Sequence, residues 1–161
     1  MGDLAKAQSN LAAGYAYQPT KQNADALTAV QQKAMTLRKG ILEHEAALKK
    51  RPNDKAALLY LLSAYRLTGN HMGLIAVGTA LVRLDSANAS TYYSEMGAAR
   101  MRMGDVENAV ESYARALDLG SPISWAETAR SAGESGALGL LRERCEKTFA
   151  ATGKTAYGKM L

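Results

Sequence analysis

Glycines recur in this chain where a helix would have to stop and reverse, and they recur at nearly constant intervals. Gly104 follows Gly69 by 35 residues, and Gly136 follows Gly104 by 32. Asn70 comes after the first and Asp105 after the second, and both residue types readily open a new helix. The positions that would pack move in step with the turns: Leu74, Ala109 and Leu141 form one series, and Gly78, Tyr113 and Cys145 another. Upstream, Pro52 follows Pro19 by 33 residues. A period in the range of roughly 20–50 residues marks a stack of supersecondary units, each of which buries its apolar face against its neighbours. A simple four-helix bundle does not account for turn signals returning at this interval.

Composition says which units these are. Alanine (30) and leucine (20) dominate, while valine and isoleucine together number 8. Helix formers therefore far outnumber β-branched residues, which argues for an all-α chain and against sandwiches, barrels and doubly wound sheets. The stretch 90–122 shows the unit most clearly. Met96, Gly97 and Arg100 share one side of a helix, and Gly97 and Ala98 are small enough for a neighbour to approach closely. Gly104 supplies the left-handed residue that ends the helix, and Asp105 stands where a cap is needed. Ala109, Tyr113, Ala116 and Leu117 then recur at three and four residues, forming one apolar stripe. Of the adjacent Tyr92 and Tyr93, this register turns Tyr93 inward and Tyr92 toward a face or a neighbour. Asn53-Asp54 can cap a helix beginning at Lys55, and Ser121-Pro122 puts a cap residue before a proline at the first helical position.

This pattern resembles the tetratricopeptide repeat, a helix–turn–helix unit of about 34 residues. The resemblance implies a right-handed superhelix of antiparallel helix pairs, forming a single domain. It divides the chain into a lone second helix at about 2–18 and units at about 21–54, 55–88, 90–121 and 122–154, with a tail at 155–161. Trp125 falls where the family likes an aromatic, whereas Gly78 and Cys145 stand where it usually places a large one. The segment 21–54 has no turn glycine near Met35 and reads alternatively as one longer bent helix.

Charge and chemistry narrow the function. The net charge is +5, and residues 1–80 carry the whole surplus. Its densest run, Lys49-Lys50-Arg51, lies just before Pro52 and reads as the cationic end of a helix, opposing its dipole. No aromatics interleave it for base stacking, so nucleic-acid binding through this half is an alternative and not the main expectation. A single cysteine, Cys145, excludes an intrachain disulfide, and it sits on a stripe with Leu138, Leu141 and Phe149 as a buried thiol. His44 falls inside a helix beside Ile41, Ala47 and Leu48, and His71 falls in a turn and is expected to be solvated. Glu43 and Glu45 lie on opposite sides of their helix. Gly153-Lys154-Thr155 echoes a phosphate loop but lacks its earlier glycine, and Asn88-Ala89-Ser90 reads as an inter-repeat turn rather than a glycosylation site. No acid, base and nucleophile set converges, so the expectation is a non-enzyme without cofactor or metal. No apolar window reaches the length of a membrane span and the first residues do not form a signal peptide. The chain is expected to be soluble and cytoplasmic, or periplasmic if a leader has been removed.

The resemblance also implies where a partner binds. In the family the first helix of each unit lines a concave groove that takes peptide segments or helices of other proteins. Carried onto this sequence, the wall consists of Leu59, Ser63, Arg66 and Leu67, then Thr91, Ser94, Ala98, Met101 and Arg102, then Ile123, Ala126 and Arg130. Asp25, Ala29 and Gln32 join them if 21–54 is a repeat. Three arginines among small residues suit a peptide with acidic side chains. The carboxylate clamp of chaperone-cofactor members is absent, because Asp25, Leu59, Ser63 and Ala98 occupy its places. Size and layout are similar to small tetratricopeptide chaperones of bacterial secretion systems, and a pilus or secretion assembly factor is equally compatible. The opening helix lacks a first-helix partner, so its apolar face, with Leu4 and Leu11, is a candidate for pairing with a second copy.

Overall fold

The structure, a computed structural model, describes residues 3–18, 20–120 and 122–152. Eight α-helices account for nearly all of these residues, and no strand occurs among them. The chain divides into two compact units, Met1–Gly73 and Leu74–Leu161.

The first unit holds α1 (Asp3–Tyr17), α2 (Lys21–Lys50) and α3 (Lys55–Thr68). α1 packs on α2 and α3, and α2 packs on α3. Thr20 starts α2 by accepting a hydrogen bond from the Asn23 amide (3.2 Å), and Asp54 starts α3 in the same way from Ala57 (3.1 Å). α2 runs unbroken for 30 residues. Residues 21–50 are therefore one long helix and not a helix pair. The physical reason is the missing turn: its glycine, Gly40, stays helical and is buried against Tyr60. Lys49 and Lys50 occupy the last turn of α2, as their dipole reading requires, and Arg51 follows as its cap residue. His44 is half-buried; its Nδ1 lies 2.8 Å from the Gly40 carbonyl, and its ring stacks on Tyr60 with centroids 3.9 Å apart.

The second unit contains the body of α4 (His71–Leu84), a short 3-10 turn (Ser86–Asn88), and then α5 (Ala89–Arg102), α6 (Val106–Leu119), α7 (Pro122–Glu134) and α8 (Leu138–Thr152). α5 packs on α6 and α7, and α6 on α7 and α8. First helices thus lie against first helices and second helices against second, the arrangement of a helical repeat. The core gathers Tyr113, Leu117, Ala132, Ala137, Leu141 and Cys145, all essentially inaccessible. Tyr113 is the largest fully buried side chain. Its ring lies against Gly97 of α5, and its hydroxyl lies 3.0 Å from Ser135 Oγ and 3.3 Å from the Ser131 carbonyl of α7. One tyrosine thereby ties α5, α6 and the end of α7 together within the second unit.

The three turn glycines behave alike. Gly69, Gly104 and Gly136 have φ of 72°, 78° and 82°, a region that L side chains avoid. At each turn the following amide reaches five residues back: Asn70 to Tyr65, Asp105 to Arg100, Ala137 to Ala132. This closure consumes carbonyls that a helix end otherwise leaves unpaired. The expected caps divide. Asn70 Oδ1 accepts from the Gly73 amide (3.0 Å), whereas Asp105 makes no capping bond and instead accepts from the Asn108 side-chain amide (2.8 Å).

Two orientations also differ from expectation. Tyr92, not Tyr93, is the buried tyrosine. Its hydroxyl donates to Asp85 Oδ2 (2.7 Å), which also accepts from Asn88 Nδ2 (3.0 Å). That polar partner, contributed by the turn, makes burial of Tyr92 favourable and could not be read from apolar spacing. His71 is half-buried rather than solvated. The side chains of Leu4, Ile123, Trp125 and Phe149, and the segment 153–161 with its Gly-Lys-Thr run, lie outside the described part.

Candidate functional site

The residues expected to face a partner are found at the surface of their helices. On α3, Leu59, Ser63 and Arg66 are all exposed, and their spacing puts them on one face. On α5, Thr91 and Arg102 are exposed and Ser94 is half-buried. Met101 is half-buried because it packs on the core around Tyr113, so its thioether is shared between core and surface. On α7, which lies against α5, Ala126 and Arg130 are exposed. Within the second unit the structure therefore brings Thr91, Ser94, Met101, Arg102 and Arg130 onto two adjacent helices. Leu59, Ser63 and Arg66 belong to the first unit.

The arginines have different surroundings. Arg130 pairs with Glu134 one turn along its own helix (3.2 Å), with side chains 70% and 66% exposed. Such a solvated pair is worth only about 0.3–0.5 kcal/mol, so a partner carboxylate can displace it at little cost. Arg102 sits in the last turn of α5 and makes no ion pair with a described residue. Asp25, Ala29 and Gln32 are exposed on α2, and the last two border a recess of about 490 Å³ with Leu37 and Tyr60.

Other polar groups hold helices together. Tyr65 donates to Glu45 Oε1 (2.6 Å) from α3 to α2. Burial first, and then the bond to Glu45 and its negative charge, push the Tyr65 hydroxyl up to about 12. Burial and Asp85 push Tyr92 up to about 12 in the same manner. Ser90 donates from a buried position to the Ala116 carbonyl (2.7 Å), which ties the Asn-Ala-Ser run into the core. Sequence reasoning weighed Glu45 only as a partner for Glu43 and passed over Asp85, because a carboxylate 20 residues from one tyrosine and 7 from the other carries no periodic signal.

Cys145 is fully buried, and burial, with a smaller contribution from Asp118, pushes its thiol up to about 11. At neutral pH it is a packed thiol with little thiolate. Among the described residues no group of three or more His, Cys, Asp or Glu is arranged to hold a metal ion, and no helix is long and apolar enough to cross a membrane.

Fold and surface together define an all-helical protein of consecutively packed helix pairs, consistent with a helical-repeat architecture. No protein-family model matches the sequence, and no curated protein is significantly similar to it.

Proposed function

We propose that this chain is a non-catalytic protein-interaction module of the tetratricopeptide type, whose first helices present a concave wall to a peptide or helix of a partner. The observation that carries this reading is the packing of α5 on α7 and α6 on α8, which leaves Thr91, Arg102 and Arg130 open to solvent. Small, half-buried side chains of α5 (Ser94, Ala98) leave room for a ligand chain. The exposed guanidinium groups suit acidic side chains and carbonyl oxygens. An adaptor or an assembly factor of the secretion or pilus kind fits this description.

The test compares capture of partners by the intact chain and by the Arg102→Ala/Arg130→Ala double variant. A partner recovered by the first should bind the second at least tenfold more weakly, about 1.4 kcal/mol, with an unchanged melting temperature. A variant that binds normally yet melts earlier would show that these arginines hold the fold and not a ligand. Recovery of nucleic acid in place of protein would move the function to the basic residues of the first 80 positions.

A further inference from the structure

A second cationic feature lies elsewhere in the second unit, in a cleft of about 460 Å³ formed by α4, α5 and α6. Arg83 of α4, Arg100 of α5 and Arg115 of α6 all line it, together with Thr79, Tyr93 and Ser112. Its volume lies in the range of roughly 300–1,000 Å³ usual for ligand sites. None of these residues belongs to the wall of Thr91, Arg102 and Arg130.

The charges of the cleft are unbalanced. Glu111 is its one carboxylate, and it is shared by two guanidinium groups, those of Arg115 (3.2 Å) and Arg144 (3.0 Å). Arg100 is held by neutral acceptors, Ser112 Oγ and the Asn108 carbonyl. Ser112 in turn donates to the same carbonyl (2.7 Å). These bonds orient the guanidinium without neutralising it, so little ordering entropy remains to be lost when a ligand arrives. Arg83 makes no ion pair with a described residue. One carboxylate against three lining arginines leaves a surplus of two positive charges. The Tyr93 and Thr79 hydroxyls add hydrogen-bonding groups at the rim, although Thr79 already donates to the Ile75 carbonyl (2.8 Å).

We infer that this cleft binds a dianionic oxyanion group of the phosphoryl class, with Arg83 and the pre-oriented Arg100 as its principal contacts. Guanidinium forks match tetrahedral oxyanions in bidentate fashion, and a surplus of two favours a dianion over a single carboxylate. The group arrives either as free phosphate or as a phosphoryl group on a larger molecule.

The experiment is a two-dimensional ¹⁵N NMR titration of the full chain with inorganic phosphate, O-phospho-L-serine and acetate, at constant ionic strength. Saturable shifts are expected at the Arg83 and Arg100 side-chain Nε–H groups and around Tyr93, with phosphate or phosphoserine binding about tenfold more tightly than acetate. Arg83→Gln should weaken binding at least fivefold, while Lys39→Gln, the same change of charge on α2, should not. Phosphoserine binding more tightly than inorganic phosphate would assign the site to a phosphoryl group carried by a larger molecule; the reverse order would assign it to the free anion. The inference is overturned by any of three results: no saturation below about 10 mM, acetate matching phosphate, or Arg83→Gln binding like the parent chain.

Discussion

Replacing Gly97 by alanine tests the packing of α5 on α6 at its tightest point. A Cβ built on Gly97 would stand 2.9 Å from two ring carbons of Tyr113 and 3.0 Å from a third. Carbon atoms in contact prefer about 3.5–4.0 Å, so either the ring or the helix must move by more than half an ångström. The ring has little freedom: it is fully buried, and its hydroxyl is engaged at Ser131 and Ser135. Overpacking of this kind costs about 1–3 kcal/mol. Alanine returns about 1 kcal/mol through its helix propensity, so the net loss is expected at about 0–2 kcal/mol, a fall in melting temperature of up to roughly 8 °C for a chain of this size. Gly14 supplies the control. It lies in α1, and a Cβ there would meet nothing within 4 Å. Gly14→Ala should therefore hold or raise stability. Urea unfolding followed by circular dichroism reads both. Gly97→Ala as favourable to stability as Gly14→Ala would refute the close packing of Tyr113 on α5.

Cys145→Ser should cost about 1–3 kcal/mol, because a hydroxyl enters an apolar site without an assured partner. The native thiol should resist a thiol reagent at pH 8 and react only on unfolding; rapid native labelling would contradict its burial. Asp54→Ala removes the bond that starts α3 and should lower stability by about 0.5–2 kcal/mol in the same urea assay, whereas no change would show that the cap contributes nothing. Tyr65 and Tyr92 predict an alkaline transition. Their hydroxyls stay protonated in the folded chain up to about 12 against an ordinary 10. Above pH 10 the unfolded chain binds fewer protons, so stability should fall between pH 10 and 12. Absorbance of tyrosinate should show a late phase to which Tyr65 and Tyr92 contribute, and Tyr92→Phe should diminish it; a late phase unchanged by Tyr92→Phe would be inconsistent with the Tyr92–Asp85 pair.

Much of the second unit was legible beforehand because its signals are local. A turn that needs φ near +80° demands glycine, so Gly69, Gly104 and Gly136 mark helix ends wherever the rest of the chain goes. The stripe Ala109, Tyr113, Ala116 and Leu117 identifies the buried face of α6 because helical spacing alone aligns those positions. The same logic warned that residues 21–54 lacked a turn, and there the continuous helix prevails.

Tertiary structure decided what depends on partners distant in sequence. Tyr92 goes inward instead of Tyr93 because Asp85 and Asn88, at the preceding turn, offer its hydroxyl a bond that spacing does not encode. Tyr65 finds Glu45 across two helices, and Gly40 leaves α2 open to the Tyr60 ring, which occupies the space of a side chain. The arginine cleft is the clearest case. Arg83, Arg100 and Arg115 stand on three helices and look, along the chain, like scattered surface cations. Only packing sets them around one cavity, and only the side-chain bonds show that Arg100 is oriented by neutral groups and keeps its charge. Sequence determines which helices form and which faces they bury, since both depend on neighbours within a few residues. Convergence of charge depends on distances between helices, which no local pattern contains.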